Sequence, residues 1–224
     1  MLEEIIISGS SVLLRNVEEV KRINVDDFYA SLTKTLLTET PILPDRVVYY
    51  AALDEKKLFV THKQPCIEKL NVLKIINDED SVEAYEVSHP HIYMFHLFVN
   101  LAFEQLYVYG ANEKIRATDE FLLKLPLKNL HPDCKVCLGD DLRFKLEGSF
   151  QAKMLRVERH FWDSAFNSDL DNNYLSVAPV EWKGNGDPIK HWAKQSADAS
   201  FDPCKVNWIK HLSWQATVKA ILRG

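Results

Sequence analysis

The sequence predicts an α+β protein, in which an antiparallel meander sheet packs against helices and a helical extension follows at the C-terminus. Short β-branched and aromatic runs recur between residues 46 and 109, and a turn-rich stretch occupies residues 125–140. A long amphipathic helix is predicted over residues 150–166, where apolar side chains recur every three or four positions. The predicted order of helix, antiparallel meander, loop and helix indicates the α+β class.

The N-terminal segment, residues 1–44, is predicted to contain strands and one helix. Two aliphatic runs at residues 4–8 and 11–14 are separated by a glycine, which is typical of a hairpin or a kinked strand. Asn24 is a candidate N-cap for a helix that starts at Val25, and the prolines from Pro41 onwards end it.

The meander and the long helix make up the predicted core, residues 45–169. The runs at 46–50 and 57–61 flank a short acidic turn and predict two paired strands, whereas residues 65–80 fit either a strand or a helix. The run at 92–99 is apolar on both alternating faces, as in a strand that is covered on two sides, and residues 105–109 predict its neighbour.

The C-terminal extension, residues 170–224, is turn-rich and predicted to be helical. Asp187-Pro188 and Asp202-Pro203 each have the pattern of a capping carboxylate followed by a proline in the first helical position. His211 also falls in a predicted helix. Four tryptophans lie in this tail, and they predict either packing onto the core or a docking helix for a partner: Trp182, Trp192, Trp208 and Trp214.

Composition argues against several classes of protein. A formal net charge of −5 is unfavourable for binding nucleic acid, because such a surface must neutralise phosphates. The chain starts with acidic residues where a secretion signal carries basic ones, and its most apolar run, 92–99, is too short to span a membrane. We therefore expect a cytoplasmic protein whose thiols are free, catalytic or metal-bound, with no membrane segment and no nucleic-acid partner.

The turn-rich stretch holds the candidate reactive groups, Asn129, His131, Cys134 and Cys137. Seven residues separate Asn129 from Cys137, and the last of them is aliphatic. A thiol can act as a nucleophile and as a leaving group in acyl transfer, and a nearby amide can stabilise an oxyanion. The competing interpretations are a buried, unreactive thiol for Cys137 and a turn residue for Asn129.

This stretch resembles the active-site loop of ubiquitin-conjugating (E2) enzymes, which have an Asn at this distance before an aliphatic residue, the active Cys and a Leu. Most of those enzymes have His-Pro before the Asn, whereas this chain has Leu127-Lys128 there and His131-Pro132 after it. The sequence is more similar to the prokaryotic E2 family D, the PRTRC system protein B group. The shared features are Pro90, Asn129, Val136-Cys137-Leu138-Gly139 and the Phe161-Trp162-Asp163-Ser164-Ala165-Phe166 segment.

The resemblance implies an E2 (UBC)-like fold in which Cys137 accepts a ubiquitin-like modifier as a thioester and passes it to an amine. Asn129 would then stabilise the oxyanion. The family lies beside ThiF-type activating proteins and JAB peptidases in plasmid-borne cassettes of bacteria. The partners implied are thus a ThiF/E1-like enzyme, a ubiquitin-like protein and a JAB-type peptidase, with no cofactor and no metal.

Two other interpretations remain open. The chain could be a catalytically inactive E2-like module that binds or assembles other components of such a cassette. Alternatively, His131, Cys134 and Cys137 have the compact spacing of three zinc ligands, which would make this a zinc-stabilised structural protein. Cys134 could also pair reversibly with Cys137.

Overall fold

A computed structural model describes residues 3–8, 11–15, 20–24, 46–76, 79–139, 146–167, 173–184 and 186–224. The strands in these ranges are, in chain order, β1 Glu3–Ser8, β2 Ser11–Arg15, β3 Val20–Asn24, β4 Val47–Leu53, β5 Lys56–Lys63, β6 Cys66–Ile76, β7 Glu79–His89, β8 His91–Val99, β9 Ala102–Ala111, β10 Phe121–Lys124, β11 Ala165–Phe166 and β12 Ile209–Ser213. The helices are α1 Phe150–Asp163, α2 Asn173–Ser176, α3 Pro188–Ser196 and α4 Trp214–Arg223, with 3-10 turns at Val180–Trp182 and Pro203–Lys205.

An antiparallel sheet organises the protein, and the α+β prediction is confirmed. Its strand order is β12-β10-β9-β8-β5-β4-β1-β2-β3, so β4, β5, β8 and β9 form a central meander. Between β5 and β8 the chain leaves this sheet as the long β6–β7 hairpin, which pairs with β11 to form a second sheet. Strands from all three predicted segments, 1–44, 45–169 and 170–224, belong to the large sheet.

Helices cover the meander on both sides. Alternate residues of β8 belong to two separate apolar clusters, as expected when successive side chains of a strand point to opposite faces. Met94 and Phe98 lie with Met154, Val157 and Phe161 of α1. The other cluster is formed with α4, and its members include Tyr93, Phe95, Trp214, Val218, Ile221 and Leu222. The predicted two-sided burial of residues 92–99 is therefore confirmed.

Several element boundaries differ from the prediction. Within the ambiguous stretch at 65–80, residues 66–76 form β6, which pairs along its whole length with β7. The predicted helix at 150–166 begins after its N-cap, Ser149, but ends at Asp163, since Ser164 has an extended backbone and Ala165–Phe166 pairs with β6. Asn24 is the last residue of β3, and the helix predicted from residue 25 lies outside the described residues.

The C-terminal extension combines helices with a strand. Asp187 caps α3 as predicted, accepting a hydrogen bond from the Ile189 amide, but Asp202 starts only a single 3-10 turn. The prediction of a helix around His211 is wrong, because β12 extends the sheet there by pairing with β10. All four tryptophans of the tail are buried, which confirms packing onto the core. Among the described residues, every helix is too short or too polar to cross a lipid bilayer.

Replacing Trp214 with Ala is expected to lower the free energy of unfolding by about 3–5 kcal/mol, the usual cost of deleting a buried aromatic ring. The ring is 4% exposed and lies 5.0–5.4 Å, between centroids, from Tyr49, Tyr93 and Phe95. Chemical denaturation measures the change. Leu212→Ala is the control, because Leu212 is exposed and should change little. Equal stability of both variants would contradict the packing of α4 described above.

Candidate functional site

Residues 129–137 form a hairpin-like loop, in which two antiparallel segments are joined by a tight turn. The amide of His131 donates to the Lys135 carbonyl, and the amide of Cys134 donates to the His131 carbonyl, both at 2.9 Å. At the base of the loop, the Cys137 amide donates to the Asn129 carbonyl, again at 2.9 Å. The two residues singled out by sequence spacing therefore lie opposite each other, joined through their backbones.

The second segment of the loop, residues 134–136, is hydrogen-bonded to the edge of β9. The Val136 amide donates to the Leu106 carbonyl at 2.8 Å, and the Val108 amide donates to the Cys134 carbonyl at 3.0 Å. Gln105, which is 3% exposed, donates from Nε2 to the Val136 carbonyl at 2.7 Å. Sequence reasoning missed Gln105 as a positioning residue. Its one visible signal is an amide side chain within a strand that is otherwise largely buried.

Cys137 is exposed, whereas both of its neighbours are buried. Val136 is held to β9, and the carbonyl of Leu138 lies 3.2 Å from His160 Nε2 on α1. Gly139 follows with φ of +70°, a left-handed conformation that favours glycine and accounts for the glycine after the cysteine motif. The chain thus presents the Cys137 thiol outward from a backbone that is anchored on both sides.

Asn129 is buried, 7% exposed, and its side chain faces the junction of α1 and β11. Oδ1 accepts a hydrogen bond from the Asn167 amide at 3.1 Å. Nδ2 makes two longer contacts, 3.4 Å to Ser164 Oγ and 3.5 Å to the Ala165 carbonyl, at the weak end of hydrogen-bond geometry. Asn129 therefore links the loop to the end of α1. Its side-chain oxygen makes the shorter hydrogen bond, and its side-chain nitrogen makes the two longer contacts.

Leu127 and Lys128, which occupy the place of the usual His-Pro pair, attach the loop to the rest of the fold. Leu127 is part of the core. Lys128 is buried, its Nζ lies 3.3 Å from Asp187 Oδ2, and the same ammonium is 4.9 Å from the centre of the Tyr174 ring. Because Asp187 caps α3, the C-terminal extension helps to hold the start of the loop.

Cys134 occupies a different environment from Cys137. Its side chain is buried in the apolar cluster that also contains Tyr109 and Leu122. Burial raises the pKa of the Cys134 thiol to about 12, so it stays protonated at neutral pH and is a poor nucleophile and metal ligand.

The predicted zinc ligands, His131, Cys134 and Cys137, do not converge. Within the described part of the chain, one set of three metal-ligating side chains has its ligand atoms within 4.8 Å of one another. That set lies on the β6–β7 hairpin.

A buried carboxylate fixes α1 above the meander. Glu158 Oε1 accepts a hydrogen bond from Thr61 Oγ1 at 2.6 Å and lies 3.2 Å from His96 Nε2, while Arg46 donates to Oε2 at 2.9 Å. Burial acts to raise the pKa of Glu158, but the contacts to His96, Thr61 and Arg46 outweigh it and the pKa is lowered. His96 is fully buried and contacts Thr61 and Glu158 through Nε2, while its Nδ1 has no hydrogen-bond partner among the described residues.

Comparison of the chain with family models, with curated proteins and with solved structures gave no match.

We expect Glu158→Gln to weaken the dependence of stability on acid pH. Because the pKa of Glu158 is lowered in the folded state, its carboxylate stabilises the fold above the unfolded value of about 4.3, and this stabilisation is lost as pH falls through the lowered value. At pH 7 the substitution should cost about 1–3 kcal/mol, because it removes the charge that Arg46 and His96 contact.

Denaturant unfolding between pH 7 and pH 3 measures both effects. Glu104→Gln is the control, since Glu104 is an exposed carboxylate on β9. If Glu158→Gln and wild type lost the same stability across this pH range, Glu158 would not be the ionised anchor of α1.

Proposed function

We propose that this chain is an E2-like conjugating protein, which accepts a ubiquitin-like modifier as a thioester on Cys137 and transfers it to an amine. The observation that carries the proposal is the presentation of Cys137: its side chain is exposed, while its own amide and both flanking residues are fixed to Asn129, β9 and α1. An acyl-accepting thiol must be reachable by two large proteins and must stay in a defined place.

The order of elements supports the same proposal. An antiparallel meander of β4, β5, β8 and β9 is followed by the Cys137 loop and then by α1 packed on the sheet. This is the arrangement that the resemblance to ubiquitin-conjugating enzymes implies. A UBC-like fold is therefore part of the proposal, together with a ThiF/E1-like activating enzyme and a ubiquitin-like protein as partners.

The chemistry needs one nucleophile and no cofactor. The Cys137 thiolate attacks the carbonyl carbon of the modifier's C-terminal glycyl group, which is bound as a thioester to the activating enzyme, and the enzyme's thiolate leaves. An amine then attacks the new thioester to give a tetrahedral oxyanion. The bond from carbon to sulfur breaks, an amide forms, and the amine proton passes to the departing thiolate or to solvent.

In this proposal Asn129 serves both as an anchor of the loop and as a donor to the oxyanion. Its oxygen remains tied to the Asn167 amide, while its NH2 group is held only by contacts of 3.4 and 3.5 Å. Giving up such weak contacts costs little, so the amide can turn to a developing oxyanion, a stronger acceptor than a neutral carbonyl.

A second function is favoured by a specific observation. Every polar contact described for the Asn129 side chain goes to the α1–β11 junction. That arrangement also suits a catalytically inactive E2-like module, in which Asn129 serves the fold alone and the domain binds or assembles the components of a PRTRC-type cassette. The two functions differ in whether Cys137 becomes acylated.

Incubation with ATP, the ThiF-type enzyme and the ubiquitin-like protein from the same gene cassette should give an adduct that reducing agent cleaves. Cys137→Ala should abolish this adduct, because it removes the acyl acceptor. Cys204→Ala should retain it, since Cys204 lies far along the chain in the 3-10 turn after Asp202. Non-reducing gel electrophoresis reads the result.

The proposal fails if folded wild-type protein gives no adduct while the activating enzyme itself is charged, and the binding-module function then takes its place. An adduct that persists in Cys137→Ala but is lost in Cys204→Ala would move the acceptor to another thiol.

Asn129→Ala is expected to leave thioester formation largely intact but to slow discharge of the thioester to free lysine by about 10²-fold, the usual cost of losing one oxyanion donor. Ser164→Ala is the matched control, because it removes a partner of Asn129 and keeps the amide. Single-turnover discharge measures the rate. Equal slowing in both variants would make Asn129 a purely structural residue.

A further inference from the structure

The β6–β7 hairpin brings together three side chains that can ligate a metal. Cys66 and His89 are directly paired residues on the two strands, and Glu68 lies two positions from Cys66 on the same face of β6. Cys66 Sγ is 3.2 Å from His89 Nε2 and 3.8 Å from Glu68 Oε1, and the three ligand atoms all lie within 4.8 Å of one another. In tetrahedral zinc sites with thiolate, imidazole and carboxylate ligands, such atoms are about 3.5 Å apart.

His89 is oriented as a ligand. Its Nδ1 lies 2.7 Å from the Pro90 carbonyl, which can only accept, so Nδ1 carries the proton and the lone pair is on Nε2, the atom facing Cys66. Histidines that bind metals commonly donate their other ring N–H in this way. The ring is also stacked on Trp162, with centroids 5.8 Å apart and planes at 19°, which fixes its rotation.

The geometry of the cluster fits a metal better than an acid–base pair. An acid–base pair needs only the thiol and the imidazole, whereas here a carboxylate oxygen also converges on the Cys66 sulfur. Metals bind a neutral imidazole through the lone pair of one ring nitrogen, and Nε2 of His89 offers such a lone pair. Cys66 is at the surface, where a solvent molecule can complete the coordination.

Lys63 does not block the site. Its ammonium pairs with Glu68 Oε1 and lies 4.9 Å from the centre of the Trp162 ring. The oxygen that Lys63 contacts, Oε1, is also the one that faces Cys66, so cation binding requires the carboxylate to turn and offer one oxygen to Lys63 and the other to the metal.

We propose that Cys66, Glu68 and His89 form a binding site for a divalent cation of the zinc class, with its fourth position open to solvent. The ligand set of one thiolate, one imidazole and one carboxylate favours zinc over calcium or magnesium, which prefer oxygen ligands alone. The site is on the hairpin outside the meander, and the proposal is independent of acyl transfer at Cys137.

Cobalt(II) titration of the full-length protein tests the site, because thiolate coordination produces a charge-transfer band in the near ultraviolet. Wild type should show the band, and zinc should remove it by displacement. Cys66→Ser should abolish it, and far-UV circular dichroism should show this surface variant to be folded. Cys137→Ala should retain the band in full, which separates the hairpin from the His131, Cys134 and Cys137 alternative.

Glu68→Gln should weaken zinc binding by about tenfold or more in a competition titration with a chromophoric chelator. Zinc should also protect Cys66 from alkylation in peptide mapping. Absence of the band in wild type, its persistence in Cys66→Ser, or unchanged zinc affinity in Glu68→Gln would each overturn the proposal.

Discussion

A carboxylate that leaves water must be met by hydrogen-bond donors and positive charge, and Glu158 finds these on the sheet beneath α1. Thr61, His96 and Arg46 approach it from β5, β8 and the residue before β4. An unpartnered buried charge costs several kcal/mol. A rotation of α1 about its axis that separates Glu158 from these partners is therefore unfavourable. The position of α1 in turn sets where His160 meets the Cys137 loop, half a turn along the same helix.

The loop itself depends on three elements that are distant in sequence. The edge of β9 is hydrogen-bonded to residues 134–136 of the loop. The Asn129 side chain accepts a hydrogen bond from Asn167, just after β11, and Lys128 pairs with Asp187, the N-cap of α3. Cys137 is the exposed residue among these buried anchors. We regard this contrast as the physical basis of the proposed thioester chemistry, because a reactive group must be accessible while its backbone is not free to move.

Sequence patterns within short segments predicted much of this arrangement. Contacts between residues that are distant in sequence could not be predicted from them. The two-sided burial of residues 92–99 follows from alternation within one strand. Cys137 is identified as the candidate nucleophile by its spacing from Asn129 and by the resemblance to ubiquitin-conjugating enzymes. Glu158 could not be recognised as a buried anchor from the sequence, because its partners lie 62 to 112 positions away. His211 was assigned to a helix, because the pairing of β12 with β10 cannot be read from periodicity alone. The pairing register that brings Cys66 to His89 is equally invisible before the hairpin is known.

The most direct test of the account is the mass of a chain that keeps Cys137 as its sole cysteine, with Cys66→Ser, Cys134→Ala and Cys204→Ser. After incubation with ATP and the proposed partners, a ThiF-type activating enzyme and a ubiquitin-like protein, intact mass spectrometry should show an increase equal to the modifier minus one water, and a thiol should reverse it. A folded chain that gains no mass, or whose adduct resists thiols, would contradict a thioester on Cys137.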